Sequence, residues 1–210
     1  MGLYERWVFN PLMEQNLRVP SVRALRTRTL ADARGRTLEV GLGTGLNVPH
    51  LPPTLRTLTA VGPEPAPDAR ARRRANERGL SLRFLTGRAE ALPFDAASFD
   101  TLVCTFVLCT VEDPAAALAE FRRVLAPDGQ LLFVEHVPSV HRVRRWIQHA
   151  IERPHRVFAC GCSLVRPTEQ LLRHGPFVVD RITRELAPGV ALPYREMIAG
   201  RAHPTTKETA

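Results

Sequence analysis

A glycine-rich turn is the segment whose residue types and spacing most clearly suggest chemistry. It holds Gly41, Gly43 and Gly45, with Glu39 before the first glycine and Asn47 after the last. Glycines let the backbone approach a ligand closely and adopt positive φ. The G-x-G-x-G spacing differs from the dinucleotide fingerprint G-x-G-x-x-G, because a leucine stands where that fingerprint has its third glycine. Glu39 can face a cationic amino group, which dinucleotides lack, so the turn favours a nucleotide that carries an amino acid.

Cysteines and a run of arginines are further groups that could bind a ligand. Cys160 and Cys162 form a single C-x-C without a second pair at zinc-finger spacing, so no metal site is expected. The densest basic run, 70–78, has five arginines but no interleaved aromatic residue. Such a run could pair with phosphates. A solvated helix face is the preferred interpretation, and no nucleic acid partner is expected.

Short apolar runs alternate with helical patterns in the middle of the chain, and these elements must position the turn. Strands are predicted at 37–40, 56–61, 82–85, 101–105 and 130–134, and helices near 65–79 and 114–125. The turn follows the first strand directly and is predicted to open a short helix, whose free N–H groups suit an anion. This alternation indicates a parallel, doubly wound α/β sheet with right-handed connections.

Both ends of the chain add elements to this core. Residues 2–33 predict two helices, so a helical cap (1–33) is expected before the main domain (34–210). Two closing strands after a five-strand core predict a seven-strand mixed sheet with an antiparallel hairpin at one edge. The elements predicted in the tail are a basic helix at about 139–152, a helix at 168–174, a strand at 177–184 and an apolar segment near 192–198.

Composition places the chain among globular proteins. Of its 210 residues, 44% are hydrophobic and 24% charged, with a formal net charge of +8. These values exclude disordered and fibrous classes. Apolar stretches are interrupted short of a membrane span, and the N-terminus lacks an apolar signal segment. A cytoplasmic location without stable membrane insertion is therefore expected.

Three motifs carry a resemblance to a known family. They are LEVGLGTGLN from residue 38, RAEALPFDAASFD from residue 88 and APDGQLLFVEHV from residue 126. In this order they are similar to class I S-adenosylmethionine-dependent methyltransferases, which implies a Rossmann-like fold and S-adenosylmethionine as the cofactor. The segments VCTFVLCTV and GCSLVRPT resemble a bacterial subgroup related to the mammalian methyltransferase-like thiol methyltransferases.

The resemblance implies a set of cofactor contacts. The three glycines would wrap the methionine part, with Glu39 near its ammonium and Asn47 near its carboxylate. The family's usual acidic residue at the end of the second strand, which holds the ribose, is replaced by Gly62. Either Glu64 reaches back to the ribose or water fills the gap. A lost charge-assisted hydrogen bond would weaken binding by about 1.5–3 kcal/mol. The remaining predicted contacts are Pro63 beside the ribose, Arg88, Ala89 and Glu90 at the adenine, and Cys104 and Thr105 beneath the methionine chain.

His136, at the end of the fifth predicted strand, is the imidazole expected near the methyl group, as base, substrate orienter or structural histidine. Methyl transfer is an in-line displacement that mainly requires alignment and exclusion of water. Ionising a thiol at pH 7 costs roughly 2 kcal/mol, whereas an alcohol costs on the order of 12. A histidine alone therefore suits a thiol, and S-methylation of a small thiol is the leading hypothesis. The alternatives are N-methylation of a phospholipid or small amine, and a cofactor-binding protein without turnover.

The predicted substrate contacts are Tyr4, Trp7, Cys109, Trp146, Cys162 and Arg166. The aromatic residues would line an apolar chamber or equally fill the core of the cap. Cys109 would lie in the active-site wall or act as a small buried hydrophobe. Arg166 would bind a carboxylate or amide of the substrate or tie its loop to the core. The sequence determines neither the acceptor nor the oligomeric state.

Overall fold

A seven-stranded mixed sheet forms the centre of the protein in the computed structural model, which describes residues 10–205. Its strands are β1 Thr37–Val40, β2 Thr57–Gly62, β3 Ser81–Thr86, β4 Phe99–Thr105, β5 Leu125–His136, β6 Phe177–Leu186 and β7 Glu196–Pro204. The α-helices of the described chain are α1 Asn10–Leu17, α2 Pro20–Leu30, α3 Ala69–Glu77, α4 Pro114–Val124, α5 Arg142–Phe158 and α6 Thr168–His174.

The strand order is β3-β2-β1-β4-β5-β7-β6. The first five strands pair in parallel, and β7 runs antiparallel between β5 and β6. This confirms the predicted mixed sheet and its antiparallel closing strands. Chain order reverses between β1 and β4, and ligands of open α/β sheets bind at the carboxyl ends of the strands beside such a point. The glycine-rich turn, which follows β1, lies there.

Local sequence explains the helices that flank the sheet. In α4, Asp113 caps the N-terminus by accepting from the backbone N–H groups of Ala115 and Ala116, and Pro114 occupies the first turn. The buried positions of this helix follow helical spacing and include Phe121, whose burial contributes about 1.5–3 kcal/mol. The predicted start of this helix is confirmed.

The structure corrects several predicted bounds. No α-helix follows the glycine-rich turn; a 3-10 turn, Val48–His50, stands there instead. Pro49, Pro52 and Pro53 explain the difference, because each lacks a backbone N–H for a helical hydrogen bond. Helix α5 extends to Phe158 rather than 152, and β7 begins later than the apolar segment that predicted it.

The N-terminal helices lie against the body of the protein. Val22 and Leu25 of α2 share a buried cluster with Val134 of β5 and Met197 of β7. The boundary between a cap and a main domain at residue 33 stays a prediction. Within residues 10–205, no helix combines the length and apolar character needed to cross a membrane.

Candidate functional site

A cavity opens at the carboxyl edge of the sheet, where the chain order reverses. Its walls come from the glycine-rich turn after β1, the loop after β4, the end of β5 and the segment around the start of β7. The polar, aromatic and sulfur-bearing side chains that line it include Glu14, Arg26, Glu39, Asn47, Thr105, Phe106, Cys109, His136, Cys162 and Tyr194. The structure thus brings together residues that the sequence predicted for cofactor, catalysis and substrate.

The three glycines of the turn have different surroundings although all adopt positive φ. Among the described residues, a Cβ on Gly43 would meet only the carbonyl oxygen of Gly41, at 3.9 Å. A Cβ on Gly41 would lie 2.5 Å from the Val107 side chain in the loop after β4, and one on Gly45 would lie 2.8 Å from the Cα of Ala71 in α3. Gly43 therefore opens to the cavity, whereas Gly45, predicted as a cofactor contact, allows α3 to pack closely.

A buried polar network lies beneath the turn. The Asn47 side-chain amide donates to Glu39 Oε1 at 2.9 Å and to Thr105 Oγ1 at 2.8 Å. Its oxygen accepts from Arg26 Nε at 2.9 Å. The second carboxylate oxygen of Glu39, Oε2, is buried and has no hydrogen-bond partner among the described residues. The amide of Asn47, expected near the cofactor carboxylate, is thus used inside the protein, while Glu39 keeps one unpaired acceptor.

Burial dominates the electrostatics of this network. Burial raises the pKa of Glu39 to about 7, against the opposing effects of the Asn47 hydrogen bond and of Arg26. Burial likewise lowers the pKa of Arg26 to about 10, with Glu39 opposing the shift. A cation placed beside Glu39 would favour its ionised form.

Sequence reasoning missed Arg26 and Glu14. Glu14 of α1 is buried and pairs with Arg70 at 2.6 Å and with Arg74, which also donates to the carbonyl of Thr44 in the turn. Two arginines of α3 therefore hold α1 and the turn rather than forming only a solvated face. These partners lie more than fifty residues apart, with separations of 56 and 60, so no local pattern signals them.

His136 and two cysteines meet at one end of the cavity. Nε2 of His136 lies 3.0 Å from Sγ of Cys162, and that sulfur lies 3.7 Å from Sγ of Cys109. All three side chains are buried, and Nδ1 of His136 has no hydrogen-bond partner among the described residues. Tyr194, also missed from sequence, presents its ring edge-to-face to the imidazole at 5.7 Å. The three side chains come from three separate segments of the chain.

Buried groups around this cluster have shifted pKa values. A hydrogen bond with Cys162, together with burial, raises the pKa of Cys109 well above its ordinary value. Burial lowers the pKa of His136, but Cys109 and Glu135 outweigh that effect, so the pKa lies above the ordinary value. Cys109 is therefore held as a neutral thiol.

Glu135 positions the loop that carries Cys109. Its carboxylate is fully buried and accepts from the backbone N–H groups of Val107, Leu108 and Cys109 at 2.8, 3.0 and 3.3 Å. Burial raises its pKa, against the effect of these three hydrogen bonds. Cys104, expected beneath the methionine chain, instead donates to Glu135 at 3.6 Å within the core.

Two further predicted substrate contacts, Arg166 and Trp146, do not line the cavity in the described structure. The Arg166 side chain donates to the carbonyls of Leu108 and Val111 at 2.9 and 2.5 Å, so it ties its loop to the loop after β4. Trp146 is 70% exposed on α5, among other exposed apolar residues of that helix. An aromatic residue on the outer side of an amphipathic helix cannot line the cavity, which corrects this expectation. Tyr4 and Trp7 lie outside the described residues.

The residues predicted for ribose and adenine lie beyond the cavity lining, along the ends of β2 and β3. Glu64 Oε2 lies 2.6 Å from the place that a Cβ on Gly62 would take, so this carboxylate occupies the space of a side chain at position 62. Pro63 is exposed and Ala89 is buried in the core. Arg88 pairs with Glu112 at 2.7 Å, and Glu90 accepts from the backbone N–H groups that precede α4.

Comparison with known proteins identifies the family. The profile of a family described as a methyltransferase domain matches residues 38–133. The thiol S-methyltransferase TMT1B of Homo sapiens is 34% identical over 178 residues, which cover 83% of this chain and 72% of the relative. The chain belongs to the S-adenosylmethionine-dependent methyltransferases.

A further relative and a structural neighbour have other named acceptors. The phosphatidylethanolamine N-methyltransferase of Cereibacter sphaeroides is 33% identical over 165 residues, covering 76% of this chain and 73% of the relative. A crystal structure from Thermotoga maritima, of an S-adenosylmethionine-dependent methyltransferase described as a possible histamine N-methyltransferase, matches with a TM-score of 0.64 and 22% identity, covering 96% of this chain and 98% of that one. The structural match confirms the fold.

The residues of this methyltransferase fit the methionine end of S-adenosylmethionine. Glu39 offers a buried acceptor without a partner, which an ammonium group would satisfy. The open space beside Gly43 leaves room for a ligand against the backbone. The carboxylate of Glu64 stands where the ribose-binding acid of the family is expected.

Proposed function

We propose that this methyltransferase methylates the sulfur of a small apolar thiol. The observation that carries the proposal is the buried His136 ring, which lines the cavity near the glycine-rich turn and whose Nδ1 has no hydrogen-bond partner within residues 10–205. An imidazole is a weak base, so it suits an acceptor that ionises near neutral pH. A thiol meets that condition, whereas an alcohol does not.

The side chains of the cavity have separate parts in the proposed reaction. When bound, S-adenosylmethionine supplies a methyl group on a positively charged sulfur. Glu39 holds the ammonium end through Oε2, and Glu64 holds the ribose hydroxyls. His136 accepts the proton of the acceptor thiol, and the apolar walls around Phe106 exclude water. Alignment of the reactants then supplies most of the rate enhancement.

The relatives support the proposal to different degrees. The name of the human relative specifies a thiol acceptor, while the name of the Cereibacter sphaeroides relative specifies a lipid amine. A neutral amine attacks with its free lone pair and does not have to lose a proton first, whereas a thiol has to give up its proton to become the nucleophilic thiolate. The unpaired, buried imidazole therefore favours the thiol over the amine.

Acceptors that share one carbon skeleton test the acceptor class. Benzyl mercaptan, benzylamine and benzyl alcohol would each be incubated with methyl-labelled S-adenosylmethionine, and products identified by mass spectrometry. We expect label on sulfur only. Label on nitrogen with none on sulfur would establish the amine alternative, and cofactor binding without transfer to any member of a wider thiol panel would establish a protein that has lost turnover.

His136 itself is tested by His136→Gln, which keeps the size of the side chain and removes the base. We expect kcat to fall by about 10²- to 10⁴-fold, the usual contribution of general base catalysis. The affinity for S-adenosylmethionine should be unchanged. His174→Gln, at an exposed position of α6, is the matched control. An unaltered kcat in His136→Gln would remove His136 as the base.

A further inference from the structure

Three soft donor atoms meet at the end of the cavity, and we propose that they bind one thiophilic divalent metal ion such as zinc. The donors are Sγ of Cys109, Nε2 of His136 and Sγ of Cys162, and they all lie within 4.8 Å of one another. Two thiolates with one imidazole are a ligand set found in catalytic zinc sites, which keep a fourth position open for water or substrate. Sequence spacing hid the site, because it suggested only the pair Cys160 and Cys162.

The distances fit tetrahedral coordination. With zinc–sulfur bonds of about 2.3 Å, two thiolates of a tetrahedral site lie about 3.8 Å apart. The sulfurs of Cys109 and Cys162 are 3.7 Å apart. With a zinc–nitrogen bond of about 2.0 Å, nitrogen and sulfur lie about 3.5 Å apart, whereas Nε2 of His136 is 3.0 Å from the Cys162 sulfur. The contact between the imidazole and Cys162 therefore has to lengthen by about half an ångström to admit the ion, and Nε2 of His136 lies within 4.8 Å of the third donor, Sγ of Cys109.

The loops that carry the two cysteines are fixed to each other. The backbone N–H of Ser163 donates to the carbonyl of Cys109 at 2.8 Å. The Arg166 side chain bonds two further carbonyls of the loop after β4, and Glu135 holds three of its N–H groups. The two sulfurs are 53 residues apart in sequence and yet are held together by several independent contacts. A site with donors held in place pays little ordering entropy on binding.

Charge balance also favours an ion here. Two thiolates and a neutral imidazole cancel the charge of a divalent ion, so the filled site carries no net charge inside the protein. The carboxylate of Glu135 lies close to the same loop and adds a favourable field for a cation. Both sulfur ligands lose their protons to water when the metal–sulfur bonds form.

The fourth position deepens the proposed function and rests on it. All three donors line the same cavity as Gly43 and Thr105, so an acceptor thiol can reach the ion. On coordination its S–H bond breaks, a sulfur–metal bond forms and the proton is released to water, because a coordinating thiol is deprotonated. Without the ion, His136 accepts this proton as proposed above; with the ion bound, the same imidazole is a ligand through Nε2 and the metal ionises the acceptor.

Cobalt substitution tests the site directly. The full chain would be reduced, stripped with a chelator and titrated with Co²⁺, and the absorption of cobalt–thiolate charge transfer recorded. We expect saturation at one ion per chain and displacement by Zn²⁺. Cys109→Ser and Cys162→Ser should each lower the affinity for Co²⁺ at least tenfold, while Cys160→Ser, at a cysteine outside the cluster, should match the wild type.

A second measurement keeps the test valid if a variant does not fold. In the wild-type protein, bound Zn²⁺ should protect Cys109 and Cys162, but not Cys160, from alkylation by iodoacetamide under mild denaturation, as read by peptide mass spectrometry. Absence of a cobalt–thiolate band together with absence of protection would overturn the proposal. Binding of one ion without any thiol methylation would instead refute only the proposed acceptor.

Discussion

Replacing Gly43 by asparagine tests whether the cavity beside the glycine-rich turn holds the cofactor. Gly43 has φ +51°, a conformation that asparagine tolerates better than most residues, and its Cβ would point into open space. The added side chain would therefore fill the cavity without disturbing the fold. Gly79→Asn is the matched control, because Gly79 has φ +64° with nothing near its Cβ and lies at the end of α3, away from the cavity.

The two variants should have similar stability and different affinity. Each replaces glycine in the left-handed region, which costs about 1 kcal/mol of the free energy of unfolding. Only Gly43→Asn forces a bound ligand against a new side chain. If that overlap costs about 1–3 kcal/mol, as overpacking does, the affinity falls roughly 5- to 150-fold.

Calorimetry with S-adenosylmethionine measures the affinities, and urea unfolding measures the stabilities. We expect near wild-type binding for Gly79→Asn and weak binding for Gly43→Asn, with both chains folded. Wild-type affinity in Gly43→Asn would show that the cofactor lies elsewhere. Equal loss of binding in both variants would show that backbone strain, and not occupation of the cavity, is the cause.

Three further predictions concern the polar groups around the cavity. The pKa of Glu39 is raised from 4.5 to about 7 in the folded state, so between these pH values the folded protein binds a proton that the unfolded chain has lost. About 3 kcal/mol of the free energy of unfolding, present at low pH, is therefore lost as pH rises from 4.5 to 7. Glu39→Gln should flatten this part of the pH–stability curve measured by urea unfolding. Arg26→Met should lower the free energy of unfolding by about 2–6 kcal/mol, because it leaves two acceptors, Asn47 Oδ1 and the carbonyl of Leu17, unpaired at about 1–3 kcal/mol each. Arg28→Met, at an exposed ion pair, should change it by less than about 1 kcal/mol. Glu64→Gln should weaken S-adenosylmethionine binding roughly tenfold to a hundredfold in calorimetry. The control, Glu77→Gln on the surface of α3, should leave the affinity unchanged. An unchanged affinity in Glu64→Gln would mean that Glu64 does not hold the ribose.

Elements with local causes could be predicted from the sequence. The strand before Gly41 and the helix that starts at Pro114 follow from apolar periodicity and from an Asp-Pro cap, which act within a few residues. The helix expected after the turn failed because three nearby prolines outweigh the glycine pattern. Trp146 was expected either to line an apolar chamber or to fill a core, and it does neither, because the sequence does not show which side of a helix faces a neighbour.

For residues that are distant in sequence but in contact in the fold, the sequence could predict the individual residues but not their contacts. His136, Cys109 and Cys162 were each expected near the acceptor, but their meeting depends on how two loops fold against the end of β5. Arg26 and Glu14 had no signal at all, because a charged residue on a short helix usually faces solvent. The residues of the turn were recognisable because glycine spacing is read directly from neighbouring positions.

The exposure of Trp146 has a practical result for spectroscopy. The chain has two tryptophans, and this one stands 70% accessible on α5, outside the cavity. Its fluorescence emission should be red-shifted and readily quenched by iodide. The emission of this residue should not change when a ligand binds in the cavity at the sheet edge. A fluorine label on Tyr194, whose ring lies 5.7 Å from that of His136, would give a resonance that responds to them.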